Sequence, residues 1–205
     1  MTFYHIFTVK DHLKNKKRIL DRITNSGSGD WDTGTGNPIS KTDYIDRETR
    51  AEMNSFLVHG NSLSTGTVGM ITDWFSFSLS ERDEEGYYKS IHKKFDPSLR
   101  VSKLKSKITV PDSWFNQYNS NSGSEHPLHC HWGGDTRNNL SSIYYVQLED
   151  KALRTIVRHP VTHKEFFAPV KEGQILTFDA TIWHRSPQNN TGTRKTIVAF
   201  NTNFS

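Results

Sequence analysis

The sequence predicts a mainly β fold with helices confined to its N-terminal part, and three observations carry that prediction. Short runs rich in Val, Ile, Thr, Tyr and Phe recur beyond Ser113, separated by Gly, Pro and Asn. The helical-looking segments all lie before residue 96. Although only 33% of the chain is hydrophobic, 12 Phe, 7 Tyr and 5 Trp supply bulky core material. Many short strands at this spacing make a sandwich or a barrel. A chain of 205 residues has room for one sizeable core, so residues 1–205 are read as a single domain. Residues 1–110 supply N-terminal helices and supporting strands, and residues 111–205 supply the β core.

Taken in order, Asp11 to Ile23 reads as a helix. Leu13, Leu20 and Ile23 share one face, and the basic run Lys14 to Arg18 forms a solvated one. Thr24 to Thr42, rich in Ser, Gly, Asp, Asn and Thr, reads as a long loop that orders over a ligand. Arg47 to His59 and Arg82 to Phe95 have helical character, whereas Thr65 to Leu79 and Lys103 to Val110 favour strands. The expected strands of the C-terminal half are Trp114 to Tyr118, Ile143 to Leu148, Leu153 to Arg158, Gln174 to Phe178 and Arg194 to Asn201.

Composition excludes several classes of function. Lys and Arg number 26 against 22 Asp and Glu, a formal charge of +4 with the positive residues scattered, so a nucleic-acid partner is not expected. The single cysteine, Cys130, excludes an internal disulfide and a Cys-rich zinc module. No run approaches the roughly 18 apolar residues of a membrane span, and MTFYHIFTVKDHLKNKK lacks the apolar region of a signal peptide. A soluble, cytoplasmic protein is expected.

The chemistry concentrates in HPLHCH, which holds His126, His129 and His131. Histidines at i and i+2 of an extended segment project to the same side, so His129 and His131 can share one metal ion, while His126 and His129 suit a turn. The best third ligand is His184, which follows a predicted strand. Neutral imidazole suits Fe, Zn, Cu and Ni. By spacing alone, the favoured reading of the same residues is as surface or hydrogen-bonded core histidines.

Downstream, Arg194 lies ten residues beyond His184, with Thr196 two positions later on the same strand face. A guanidinium there grips a carboxylate by two parallel hydrogen bonds, and the hydroxyl adds a third. Arg194 opens an otherwise apolar strand and needs a partner if buried, either a ligand carboxylate or Asp179. Tyr145, sixteen residues after His129, can donate its phenol to that carboxylate, while Tyr144 points to the opposite sheet face and packs.

With these residues in hand, the chain resembles the iron(II)- and 2-oxoglutarate-dependent oxygenases, especially the prolyl-hydroxylase-like branch and its small phage-encoded relatives. The series runs Tyr118, His129-Cys130-His131, Ser142-Ile143-Tyr144-Tyr145-Val146, Pro169, Glu172-Gly173-Gln174-Ile175-Leu176-Thr177-Phe178, His184 and Arg194, and spans roughly Trp114 to Phe200. The resemblance implies a double-stranded β-helix, the jelly-roll, cupin-like fold. It implies Fe(II) on His129, His131 and His184, with 2-oxoglutarate held by Arg194, Thr196, Tyr145 and Tyr118. It further implies O2 as co-reactant, decarboxylation of 2-oxoglutarate to succinate, and hydroxylation of a C–H bond in an amino-acid, peptidyl or other small substrate.

One departure matters: His131 stands where the family usually carries Asp or Glu. Asp135 after Gly133-Gly134, or water, are the alternative occupants of that coordination position. A cupin-like three-histidine dioxygenase that does not use 2-oxoglutarate, and a non-catalytic β-scaffold binding module, are the rival readings. Trp132 and Trp183, beside proposed ligands, line a substrate mouth or fill the barrel end. Asn119 to Glu125 is a second candidate lid. Neither the primary substrate nor the oligomeric state is written in the sequence.

Overall fold

Two antiparallel sheets face each other in the computed structural model, which describes residues 3–9, 12–25, 41–44, 108–109, 113–133, 136–137 and 140–204. In chain order the elements are β1 (Tyr4–Thr8), α1 (His12–Asn25), β2 (Lys41–Tyr44), β3 (Ile108–Thr109), β4 (Ser113–Tyr118), β5 (His126–His129), β6 (Trp132–Gly133), β7 (Thr136–Arg137), β8 (Leu140–Leu148), β9 (Ile156–Arg158), β10 (Glu165–Phe167), β11 (Gln174–Asp179), β12 (His184–Ser186) and β13 (Lys195–Phe204). The larger sheet runs β1-β11-β8-β13-β4-β2, with β3 on the far end of β13. The smaller runs β10-β9-β12-β5, and β6 and β7 form a separate hairpin. Chain order alternates between the layers: β8 lies in the large sheet, β9 and β10 in the small, β11 in the large, β12 in the small and β13 in the large. That winding is a double-stranded β-helix, as the resemblance implies.

Alternation of side chains builds the core. Ile143 and Tyr145 of β8, Leu176 and Phe178 of β11 and Ile197 of β13 point between the sheets and meet Val157, Leu153 and Ile182. Phe178 and Tyr145 have no exposed surface, and full burial of a side chain of Phe size contributes about 1.5–3 kcal/mol. Near its end β8 carries a bulge: Ile197 pairs with Tyr145 and Thr196 with Gln147, leaving Val146 unpaired across from β13.

Several elements differ from expectation. Lys151–Leu153 is a 3-10 turn capped by Asp150, whose carboxylate accepts from the Ala152 amide at 2.8 Å, so the strand expected from Leu153 begins only at Ile156. The buried face of α1 carries Asn15 and Ile19, while Leu13 is 77% exposed. Polar contacts set that rotation. Glu172 accepts from Lys16 Nζ at 2.6 Å and from His12 Nε2 at 3.3 Å, and the other His12 nitrogen bonds the Tyr144 hydroxyl at 2.7 Å. Tyr144 therefore packs on the helix side of β8, as alternation predicts. Gly173 turns the chain into β11 with φ +82, where an added Cβ would stand 2.9 Å from His12 Cγ. The helices expected at Arg47 to His59 and Arg82 to Phe95 and the strand at Thr65 to Leu79 lie outside the described residues. So does the expected loop Thr24 to Thr42, apart from the end of α1 and the start of β2.

Candidate metal centre

The smaller sheet brings two distant histidines face to face. His129 ends β5, His184 begins β12, and the strand register makes them cross-strand partners. His131 lies two residues past the end of β5, its backbone N–H donating to Ala180 O at 2.8 Å. The three rings stand with centroids 4.3 Å (His129–His184), 5.1 Å (His131–His184) and 5.2 Å (His129–His131) apart. One nitrogen from each lies within 4.8 Å of the others, so the three can hold a metal ion.

The hydrogen bonds decide which nitrogen each ring offers. His129 Nδ1 lies 2.8 Å from Pro127 O, His184 Nδ1 3.0 Å from Ile182 O, and His131 Nδ1 2.7 Å from Asn201 Oδ1. A carbonyl oxygen only accepts, so each Nδ1 carries the proton and each Nε2 keeps its lone pair for an ion. Burial keeps the rings neutral. Desolvation, and then the nearness of His129, lowers His131 to about 4. Desolvation also holds His129 below the ordinary range and His184 well below it. Three pre-oriented neutral donors suit a transition metal.

The rings open onto a pocket that is also lined by Trp114, Asn116, Tyr118 and Thr155. Two cations line it: Arg185, which donates to Glu165 Oε2 at 3.0 and 3.1 Å, and Lys195, 1% exposed, whose ammonium donates to Ser186 Oγ at 2.8 Å and lies 5.0 Å from the centre of the Tyr118 ring. Burial lowers Lys195 to about 7 and raises Tyr118 to about 12. Ile143, Ile197 and Ala199 give the cavity an apolar wall, Trp114 stacks on His131 at 5.4 Å, and His126 stacks on His129 at 4.1 Å.

The placement of the other expected residues is mixed. Tyr118 lines the cavity. Tyr145 faces inward one step away, its hydroxyl donating to Thr155 Oγ1 at 2.6 Å, and it is Thr155 that lines the cavity. Arg194 does not reach the site. It precedes β13 and is exposed, and Asp179, offered as its partner, instead accepts from the backbone and hydroxyl of Thr181 at 3.0 and 2.7 Å. Thr196 is turned away as well: it joins Gln117 and Gln147 in a cross-strand row, accepting at 3.3 Å and donating at 3.2 Å. The inward phase of β13 is Lys195, Ile197 and Ala199, one residue out of step with the expectation. Asp135 lies outside the described residues, and the described cluster contains no carboxylate. Trp183 is 45% exposed and so does not fill the barrel end. The candidate lid Asn119 to Glu125 is fastened down: Asn121 N donates to Thr191 O at 2.8 Å, Gly123 N to Asn189 O at 3.1 Å, and Asn189 N to Ser124 O at 2.9 Å. Lys195 and Asn201 escaped sequence reasoning, although both follow from alternation once the phase of β13 is known.

No protein-family model and no curated protein matches the chain, but solved structures do. The epimerase SnoN from nogalamycin biosynthesis, in complex with Fe3+, α-ketoglutarate and nogalamycin RO, is 7% identical over 98% of this chain and 78% of its own, with a TM-score of 0.64. A prolyl-4-hydroxylase from Pseudomonas putida is 10% identical over 97% and 91%, with a TM-score of 0.53. The viral collagen prolyl hydroxylase of Paramecium Bursaria Chlorella virus-1, a 2OG complex, is 9% identical over 98% and 95%, also at 0.53. This chain has the double-stranded β-helix fold of the 2-oxoglutarate, iron(II) oxygenases. At such low identity the likeness does not single out the prolyl-hydroxylase branch. Among the described residues no helix is long and apolar enough to cross a membrane.

Proposed function

We propose that the protein is a non-haem iron oxygenase that uses 2-oxoglutarate to oxidise a C–H bond of an amino-acid, peptidyl or other small substrate. The observation that carries this reading is the joint presence, in one cavity, of three histidines with free Nε2 atoms and a fully buried lysine. His129, His131 and His184 would hold Fe(II), and the bound metal with its cosubstrate would supply the activation of O2. Lys195 takes the role first expected of Arg194. A buried ammonium whose hydrogen-bond partner is a neutral hydroxyl favours an anion, and the far carboxylate of a small diacid meets that need. Tyr118 borders the same end of the cavity. The apolar wall of Ile143, Ile197 and Ala199 excludes water, which strengthens the lysine's hold on the anion. Residues 1–205 would act as one domain, a reading supported by the pairing of β1 with β11 and of β2 with β4 in the large sheet.

The three-histidine dioxygenase without 2-oxoglutarate draws support from the absence of a carboxylate in the described cluster. Lys195 weighs against it, because such an enzyme has no diacid to anchor. Succinate release in the presence of Fe(II) and 2-oxoglutarate, measured on wild type, His184→Ala and Lys195→Met, tests the proposal. Oxygen uptake without succinate release would favour the alternative.

A further inference from the structure

We infer that Asn201 is a positioning residue of the metal centre: its side-chain oxygen fixes the His131 ring so that Nε2 faces the ion, and as a neutral amide it leaves the ion's positive charge available to an anionic co-ligand. This rests on the metal reading above and deepens it.

The three ligands are not oriented in the same way. His129 and His184 each donate Nδ1–H to a backbone carbonyl two residues earlier in the chain, Pro127 O and Ile182 O. Their tautomers are thus set locally, wherever the strand forms. His131 has no such local acceptor. Its Nδ1 bonds Asn201 Oδ1, seventy residues away on β13, at 2.7 Å. The Ser141 hydroxyl is a second neighbour at 3.4 Å, longer than a good hydrogen bond. Asn201 and Ser141 are cross-strand partners on β13 and β8, so the large sheet presents both to the ring.

Asn201 is itself 4% exposed. It continues the inward phase of Lys195, Ile197 and Ala199, so one strand supplies both the buried lysine of the cavity and the acceptor for His131. Trp114 stacks on the face of that imidazole and offers its Nδ1 no acceptor, leaving the amide to choose between its two tautomers. All three outer acceptors are neutral. Three neutral ligands backed by neutral acceptors leave a divalent ion with its full charge, which attracts anions. An aspartate at position 201 would raise the basicity of His131 while partly cancelling that charge.

Four proteins test this: wild type, Asn201→Leu, Asn201→Asp and Ser141→Ala. Long-range 1H–15N spectra of the metal-free proteins read the His131 tautomer. Competition with a chelator reads Co(II) affinity, and azide titration of the Co(II) proteins reads anion affinity. Wild type and Ser141→Ala should show the Nδ1–H tautomer. Asn201→Leu should lose it and bind Co(II) about 10–100-fold more weakly. Asn201→Asp should keep the tautomer, bind Co(II) at least as tightly as wild type, and bind azide about tenfold more weakly through the added negative charge. An amide that only filled space would not produce these opposite shifts in metal and anion affinity.

An unchanged tautomer and Co(II) affinity in Asn201→Leu overturns the positioning role, as does an equal loss of Co(II) affinity in Asn201→Asp and Asn201→Leu. Unchanged azide affinity in Asn201→Asp overturns the role in charge. A wild-type protein that takes up no Co(II) sinks the metal reading instead, and the tautomer spectra then still decide whether Asn201 controls the His131 ring.

Discussion

His129 and His184, fifty-five positions apart in the chain, are direct partners across β5 and β12, with ring centres 4.3 Å apart. Neither strand is long, β5 having four residues and β12 three. Backbone pairing of the two strands is what brings the ligand nitrogens together.

His184→Ala should therefore abolish metal binding. The loss should exceed the 10–100-fold that removal of an outer hydrogen-bond partner costs. Chelator competition with Fe(II) or Co(II) measures it, and wild-type affinity in this variant would remove His184 from the ligand set.

Lys195 and Arg194 are neighbours in sequence with opposite environments, one buried and the other exposed. Lys195→Met should raise the KM for 2-oxoglutarate by roughly 30-fold or more, the equivalent of a charge-assisted hydrogen bond of about 2–3 kcal/mol. Arg194→Leu should leave it within about twofold, since an exposed charge contributes little. Steady-state kinetics of the two variants decide which cation binds the cosubstrate.

Lys195 also makes a stability prediction with a definite sign. Burial lowers it from 10.5 to about 7 in the folded chain. Between those values the unfolded chain binds more protons, so this residue makes stability rise with pH from about 7 to about 10.5. Lys195→Met should remove that rise and, without ligand, stabilise the fold by on the order of 1–4 kcal/mol. Urea unfolding of both proteins across the alkaline range tests it; parallel pH profiles would contradict the burial of a charged amine.

Glu172 clamps α1 to the sheet and also accepts from the Leu148 amide at 2.9 Å. Burial pulls its carboxyl upward, but the bonds from Lys16, Leu148 and His12 outweigh that and hold it below 4.5. A lowered carboxyl contributes stability above its ordinary range and loses it as pH falls through the folded value. Glu172→Gln should cost about 1–3 kcal/mol at neutral pH and show a shallower loss of stability below about pH 4.5 than wild type. Denaturant midpoints from pH 6 to 3 provide the comparison.

Gly173→Ala meets two obstacles, a positive φ and a close approach to the His12 ring. The substitution should lower stability by about 1–3 kcal/mol, read as a fall in melting temperature. Restoring room with His12→Ala in the same chain should recover part of it.

Much of the fold was legible because its signals are local. The Val, Ile, Tyr and Phe runs of β4, β8, β11 and β13 read as strands without knowledge of their partners. The pair His129 and His131 could be read from i, i+2 geometry, and Tyr144 and Tyr145 were separated correctly by alternation alone. The short strands β10 and β12 carried too few residues to show a period, and α1 turned its Leu13 outward because Glu172, far along the chain, holds His12 and Lys16.

The amino-acid order alone determined that this chain builds paired β layers and that its histidines sit where strand ends can gather them, since both follow from side-chain shape and a two-residue repeat. Only the assembled sheets decided which of the two β13-end cations, Arg194 or Lys195, enters the cavity. Side chains on adjacent strand residues point to opposite faces, so where β13 starts exchanges Arg194 and Thr196 for Lys195 and Ile197. That start is set by hydrogen bonds to β4 and β8 and by the bulge at Val146, contacts between residues 47 to 87 positions apart that no local pattern encodes.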